Sequence, residues 1–312
     1  MKIYEYTPGQ RLSIKAAAIA LGFFDGVHLA HRRLLERTQK IAKERNLVFA
    51  VFTFPAEDNF KGEKSIYSTE DKLAILESLG VEAVILADFG SVADISAQKF
   101  VTDSLVGDMN CRAAVAGYDF RFGKGAIGDA ELLSSLLSSR SAECFIEEEM
   151  KMDGKKISTT EIKSQLKDGR VDEAKKLLGA PYFIRAKVTR GLGLGKKRLG
   201  FPTVNTDFKD ASAPLRRGVY RTAVEISGKL YSSVTNVGTC PTLGERKIHS
   251  ETFIIDFSEA VYDEEIRIFF LGYLREEKKF INEEELILQI NIDKNRAIYE
   301  NGDLTWQEIG LN

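Results

Sequence analysis

What most constrains the fold of this chain is a change of texture near residue 150. Before it, apolar stretches of strand length alternate with amphipathic stretches of helix length; after it, period-two segments follow one another with little helix between them. Residues 16–21, 47–54, 81–87 and 111–116 read as buried strands, and 28–45, 69–79 and 96–105 as the helices between them, with Thr69 as a helix cap. Strands without a polar face, separated by helices, imply a parallel sheet covered on both sides. The first domain is therefore expected to be α/β, a Rossmann-like parallel sheet whose ligands sit beyond the carboxyl ends of its strands. Later, 182–189, 219–226, 229–237, 251–257 and 266–274 alternate polar and apolar residues, which predicts a closed antiparallel β-barrel. A last helix is expected over 283–299, with Asn282 as N-cap and Glu285 completing a capping box. The 312 residues suit two domains. The turn Gly179-Ala180-Pro181 separates an expected first domain, 1–180, which includes two short linker helices, from a second, 181–312.

Charge narrows the partners. With 44 Lys+Arg against 46 Asp+Glu, no overall field draws the chain to nucleic acid or a membrane surface, so small-molecule partners are expected. The longest apolar runs, 16–24 and 47–54, are too short to span a bilayer, and the first residues lack a signal-peptide core. Cys111, Cys144 and Cys240 lie far apart and form no CxxC pair, which points away from disulfides and zinc and toward a cytoplasmic location.

The stretch 191–205 reads GLGLGKKRLGFPTVN. Gly191, Gly193 and Gly195 let the backbone take positive φ and come close to a ligand. Lys196, Lys197 and Arg198 add positive charge, and Thr203 and Asn205 offer oxygens on one side of an extended chain. A nucleotide with its magnesium would satisfy all three features. Neither a Walker A loop nor a dinucleotide fingerprint fits, because Arg190, Lys196, Lys197 and Arg198 stand where those patterns require glycine or a hydroxyl. A flexible basic loop is the plain alternative, and Phe201-Pro202 argues against it.

A second constellation, Gly22 to His31, joins the first long strand to the first long helix and contains Gly22, Phe24, Asp25, His28 and His31. With Asp25 as N-cap, the following N–H groups form an anion site, and two imidazoles there suit nucleotidyl transfer. Surface histidines and a metal pair are the alternatives. The third, Gly117 to Gly125, follows a strand and brings Asp119, Arg121 and Gly123 together with aromatics. Ser158, Thr159 and Lys163 stand at a helix start, where Ser158 and Glu161 also form a plain capping box. Glu251 shares the alternation of Phe253, Ile255 and Phe257. It is expected to point inward, either paired or kept as a base. Around Arg275 a solvated charge run is the simpler reading.

Together these stretches resemble the prokaryotic bifunctional riboflavin kinase/FMN adenylyltransferase family over about residues 17–297. GxFDGVHxxH, GxDFRFGxG and the Ser158 segment resemble its adenylyltransferase module, one of the HxGH nucleotidyltransferases. GxGxGxxxLGFPTxN, GVY, NxGxxPT, ExxxxDF and RxExKF resemble its riboflavin kinase module. The resemblance implies that ATP lies along 191–200, that Thr203, Asn205 and the phosphates hold Mg²⁺, and that Glu251 deprotonates riboflavin. Gly218, Tyr220, Arg275, Glu277 and Phe280 would face the flavin. His28 and His31 would stabilise the transfer of AMP to FMN, with the other residues of the first-domain constellations binding ATP. Three features depart from the family: Ala30 replaces the glycine of HxGH, Lys163 replaces an arginine, and Phe54-Pro55-Ala56 replaces a PxP element. A kinase with an impaired adenylyltransferase half, or a non-catalytic flavin sensor, are the alternatives.

Overall fold

Strands as apolar as Ala17–Leu21, which is buried along its whole length, need cover on both faces, and helices supply it. The computed structural model describes residues 1–58, 64–189, 203–207, 215–239, 248–257, 261, 264–302 and 304–306. Its chain divides into two units, Met1–Thr159 and Thr160–Asn312.

In the first unit six strands pair in parallel in the order β1-β4-β3-β2-β5-β6. They are β1 (Lys2–Tyr6), β2 (Ala17–Leu21), β3 (Val48–Thr53), β4 (Ala83–Ala87), β5 (Cys111–Gly117) and β6 (Glu143–Glu147). The helices are α1 (Leu29–Arg45), α2 (Thr69–Ser78), α3 (Phe89–Val92), α4 (Ala97–Lys99) and α5 (Ala130–Ser138), with α4 running on as a π-helix over Phe100–Asp108. Ile19 and Leu21 face a core with Phe52, Ile85 and Phe100, while Ala18 and Ala20 face the other side with Val51, Leu34 and Leu35 of α1. The four expected strands are present. The edge strands β1 and β6 were not expected, because each is only partly buried and keeps charged residues that blur the apolar signal. Ser68, not Thr69, caps α2: its Oγ accepts the Asp71 N–H at 3.1 Å, and the Thr69 hydroxyl instead accepts the Ala56 N–H at 2.7 Å. The two-stranded hairpin β7 (Lys151–Met152) and β8 (Lys155–Lys156) turns on Asp153 and Gly154, both at positive φ.

The second unit is a closed barrel in the order β10-β13-β12-β11-β14-β9. Its strands are β9 (Phe183–Thr189), β10 (Thr203–Asp207), β11 (Gly218–Ile226), β12 (Lys229–Thr239), β13 (Ile248–Ile254) and β14 (Glu265–Arg275). Helices α6 (Thr159–Lys167) and α7 (Val171–Leu178), expected to close the first domain, group with it: the Arg216 N–H donates to the Leu166 carbonyl at 3.1 Å. Helix α8 (Glu283–Asn301) packs outside β11 and β12, where Asn301 bonds the Thr222 carbonyl and the Ser232 hydroxyl. Asn282 caps α8 by accepting the Glu285 N–H at 2.9 Å. The Glu285 carboxylate bonds the Ile281 N–H instead of the Asn282 N–H, so the expected box closes one residue early.

Alternation in the barrel runs opposite to the expected phase at Glu251. Ser250, Thr252 and Ile254 are buried inside, and Glu251 is exposed on the outer face with Phe253. The expected inward run 251–257 is not one strand, because β13 ends at Ile254 and Asp256 turns the chain at φ 55°. The interior selects hydroxyls. Thr222 bonds Ser233 at 2.7 Å and Thr235 at 2.8 Å, Thr235 bonds Thr252 at 3.0 Å, and Thr206 bonds Ser250 at 2.5 Å. Each of these interior hydroxyls satisfies another.

Thr235→Val removes a hydroxyl that serves both Thr222 and Thr252. Unfolding in urea, followed through Trp306 on the edge of Phe269, should show the second unit destabilised by about 1–3 kcal/mol. Unchanged stability would mean that these bonds do not hold the interior.

Candidate functional site

The connection from β2 to α1 is backbone-strained. Phe24 and Val27 have φ of 55° and 41°, and Gly26 has 79°; positive φ at a β-branched residue is held only by its surroundings. Asp25 does not cap α1. It is buried, and its carboxylate accepts the Ile66 N–H at 2.7 Å. His28 is the cap, its Nδ1 accepting the His31 N–H at 3.4 Å, and the two imidazoles stack with centroids 3.6 Å apart. Phe24, expected to touch ATP, is fully buried and packs on His31, and a side chain at Gly22 would crowd the Phe24 ring. Burial pulls the His28 pKa down to about 4, and burial, His28 and Lys72 together hold His31 well below its usual value. Both rings are therefore neutral at pH 7. Lys72, which the sequence reading missed, is 2% exposed. Its ammonium donates to the carbonyls of Phe23 and Phe54, tying the ends of β2 and β3 together. No motif marks it; only a charged residue on the inner face of α2 could have drawn notice.

At the end of β5, the neighbour of β2, Asp119 bonds the Lys156 ammonium at 2.7 Å, and Tyr118 accepts from the same lysine at 2.6 Å. Asp119 raises and Lys156 lowers the proton affinity of His28, so both loops present charge to one place. Lys156 is a second residue the sequence reading passed over. Arg121 lies 3.6 Å from Asp129. Gly123 has a structural cause: at φ 75° its Cβ would lie 2.6 Å from the Ala97 backbone nitrogen. Thr159 joins the site by donating to the Asp25 carbonyl at 3.2 Å, and Ser158 precedes it at the start of α6. Lys163 belongs to the second unit.

On the barrel's outer face, a cavity of about 200 Å³ is lined by Thr203, Asn236, Glu251, Phe253, Arg275 and Phe280, among others. One register row supplies its lining residues Glu251, Asn236, Val219 and Arg275 and continues to Asn205. Asn205 pairs with Glu251, Glu251 with Asn236, Asn236 with Val219 and Val219 with Arg275 across five strands. The Thr203 hydroxyl donates to Glu251 Oε1 at 2.7 Å. Arg275 forks onto Asp293 of α8 at 2.8 and 3.2 Å and lies over the Phe280 ring. Glu277 lines the mouth beside Gly238, which has no Cβ to displace it. Gly218 and Tyr220 do not line the cavity. At Gly218, φ 141°, a side chain would strike the Arg275 carbonyl, and Tyr220 is buried inside with its hydroxyl donating to the Arg216 carbonyl. Gly191, Gly193, Gly195 and Lys196 lie outside the described residues. Among the described residues there is no cluster of three His, Cys, Asp or Glu able to hold a metal, and no helix long and apolar enough to cross a membrane.

Two family profiles match this chain, one described as FAD synthetase over residues 11–161 and one as riboflavin kinase over residues 178–299. Relatives named bifunctional riboflavin kinase/FMN adenylyltransferase include those of Bacillus subtilis, 35% identical, and Haemophilus influenzae, 31% identical. The alignments cover 90% and 91% of this chain and 92% and 94% of those proteins. A crystal structure described as a macrolide-efflux protein from Streptococcus pneumoniae is similar with a TM-score of 0.87 and 28% identity, over 95% of this chain and 99% of that one.

Neutral, buried His28 makes the first unit sensitive to acid. Its imidazole titrates near 6.5 unfolded and near 4 folded, so between these values the unfolded state holds the extra proton. This contribution is fully present above pH 6.5 and is lost as pH falls toward 4. At pH 5 the loss is about 2 kcal/mol relative to pH 7. Hydrogen exchange of β2 and β5 amides should show this loss in the wild type and less of it in His28→Gln. Equal losses in the two would overturn the assignment.

Proposed function

Because this chain belongs to the bifunctional riboflavin kinase/FMN adenylyltransferase family, we propose that Glu251 is the base of its kinase reaction and that His28 and His31 serve its adenylyl transfer. The chain carries both activities: ATP-dependent phosphorylation of riboflavin to FMN, and adenylylation of FMN to FAD with release of pyrophosphate. The observation that carries the assignment is the hydrogen bond from Thr203 to Glu251 at the floor of the barrel's cavity.

The terminal hydroxyl of the ribityl chain loses its proton to Glu251 as its oxygen attacks the γ-phosphate of ATP, and ADP leaves. Thr203 holds the carboxylate toward that oxygen. Phe253 and Phe280 give the flavin ring apolar cover, and Arg275, fixed by Asp293, keeps the segment carrying Phe280 against the cavity. Thr203 and Asn205 suit Mg²⁺. The Thr203 hydroxyl spends its hydrogen on Glu251 and keeps its lone pairs, Asn205 offers a carboxamide oxygen on the same face of β10, and hard oxygens are what this cation prefers. When bound, the ion neutralises charge on the triphosphate. The glycines 191, 193 and 195 and Lys196 complete the nucleotide site in this reading.

In the first unit, an FMN phosphate oxygen attacks the α-phosphorus of a second ATP and pyrophosphate departs. His28 and His31 wait neutral. As anionic phosphates replace water around them, the neighbouring negative charge raises their proton affinity, and the imidazoles donate hydrogen bonds to the charge that builds on the leaving group. Lys156 and Arg121, with Ser158 and Thr159 at the start of α6, provide the remaining phosphate donors. The partners are small molecules, and the cytoplasm, where riboflavin and ATP meet, is the place of action.

Glu251→Gln keeps the Thr203 hydrogen bond but cannot take a proton. The kinase kcat should fall about 10²- to 10⁴-fold, while supplied FMN is still converted to FAD, as resolved by chromatography of the flavins. Kinase turnover at the wild-type level would remove Glu251 from the reaction.

A further inference from the structure

One polar group in the cavity wall has a role that neither reaction step above assigns. The carboxamide oxygen of Asn236 is shielded from solvent and accepts no hydrogen bond, although the side chain lines the cavity. Other polar side chains of the wall have protein partners: Thr203 bonds Glu251, Arg275 bonds Asp293, and Lys278 bonds Glu285 at 2.8 Å. An acceptor hidden from water without a donor is costly, and a wall that tolerates it is one where a ligand brings the donor. Position identifies that donor. Asn236 on β12 is the direct cross-strand partner of Glu251 on β13, so the two side chains leave the same face about 5 Å apart. Next to Asn236 in the same row stands Val219, and one pair along on its own strand stands Val234, both apolar lining residues. The amide thus stands beside the base, with the aliphatic side chains of Val219 and Val234 next to it.

We propose that Asn236 is a specificity residue that hydrogen-bonds the polyol hydroxyl vicinal to the one that is phosphorylated, and so sets the reacting oxygen against Glu251. A hydroxyl is donor and acceptor at once and satisfies either end of a carboxamide. The base holds one hydroxyl and the amide its neighbour, so a flavin is accepted by the spacing of two adjacent hydroxyls as well as by its ring. This rests on the reading of Glu251 as the kinase base.

The test compares kcat/KM of the full-length wild type and Asn236→Ala on riboflavin and on the analogue lacking that vicinal hydroxyl. On riboflavin the variant should lose about 10- to 100-fold. The wild type should lose a similar factor on the analogue, where wild type and variant become nearly equal because the bond is already absent. An equal loss by the variant on both substrates, or no loss on riboflavin, would overturn the inference. The unfolding midpoint reported by Trp306 checks the fold; if Asn236→Ala is unfolded, Asn236→Val, suited to a strand, takes its place in the comparison. Glu251→Gln measured alongside separates the two claims. If it stays active, the site reading falls; if it is inactive while Asn236→Ala behaves as wild type, only the role of Asn236 falls.

Discussion

The hydroxyls inside the barrel decide which way Glu251 points. A strand has two faces, and a slip of one residue exchanges them. Thr206, Thr222, Ser233, Thr235, Ser250 and Thr252 all go inward and bond one another. Ser250 and Thr252 flank Glu251, so their inward placement forces it outward. The same register carries Asn205, Asn236 and Arg275 into one row with it. Shape-filling aliphatic residues would tolerate a slip more easily, because one methyl group substitutes for another. Hydroxyls that must find partners do not. The positions of the outer-face residues are therefore set by bonds on the inner face.

The first unit solves a different problem with the same economy. Two imidazoles must lie close together at the end of a strand without carrying charge. A strained connection with Phe24 and Val27 at positive φ lifts His28 to the start of α1. The stacked pair is buried enough to stay neutral. Lys72 contributes twice: it holds the Phe23 and Phe54 carbonyls at the ends of β2 and β3, and its charge disfavours a proton on His31. A buried ammonium is expensive unless it is surrounded by acceptors, and here backbone carbonyls surround it.

Both architectures could be read in the sequence, since the periods of the strands and helices change where the fold changes. The motif residues His28, His31, Asp119 and Thr159 do converge at the carboxyl ends of β2 and β5, and Thr203 and Glu251 do meet. Three things could not be read. The phase of Glu251 was hidden because Phe253, Ile255 and Phe257 imitate a core face that stops at Ile254. Lys72 and Lys156 were hidden because a lone lysine has no periodicity, and only the fold shows what it faces. Tyr220, Gly218 and Gly123 looked like ligand contacts because aromatics and glycines mark sites and tight packing equally. In this chain the packing explanation is visible at all three: a buried ring, a carbonyl at Arg275 and the backbone of Ala97.

Each unit leaves a shielded polar atom without a hydrogen-bond partner at its site, His31 Nδ1 in the first and Asn236 Oδ1 in the second. Neither helps the chain to fold, since each forgoes about 1–3 kcal/mol that an apolar residue or a paired one would recover. In the proposed roles the two costs belong to different ligands, an anionic nucleotide beside His31 and a neutral polyol beside Asn236. Occupation of either site relieves its own unit, because a ligand that binds only the folded state stabilises that state in proportion to its saturation. On the proposed assignments the unit that makes FMN is steadied by riboflavin and the unit that consumes FMN by nucleotide, so that each half is held most firmly when its own substrate is present.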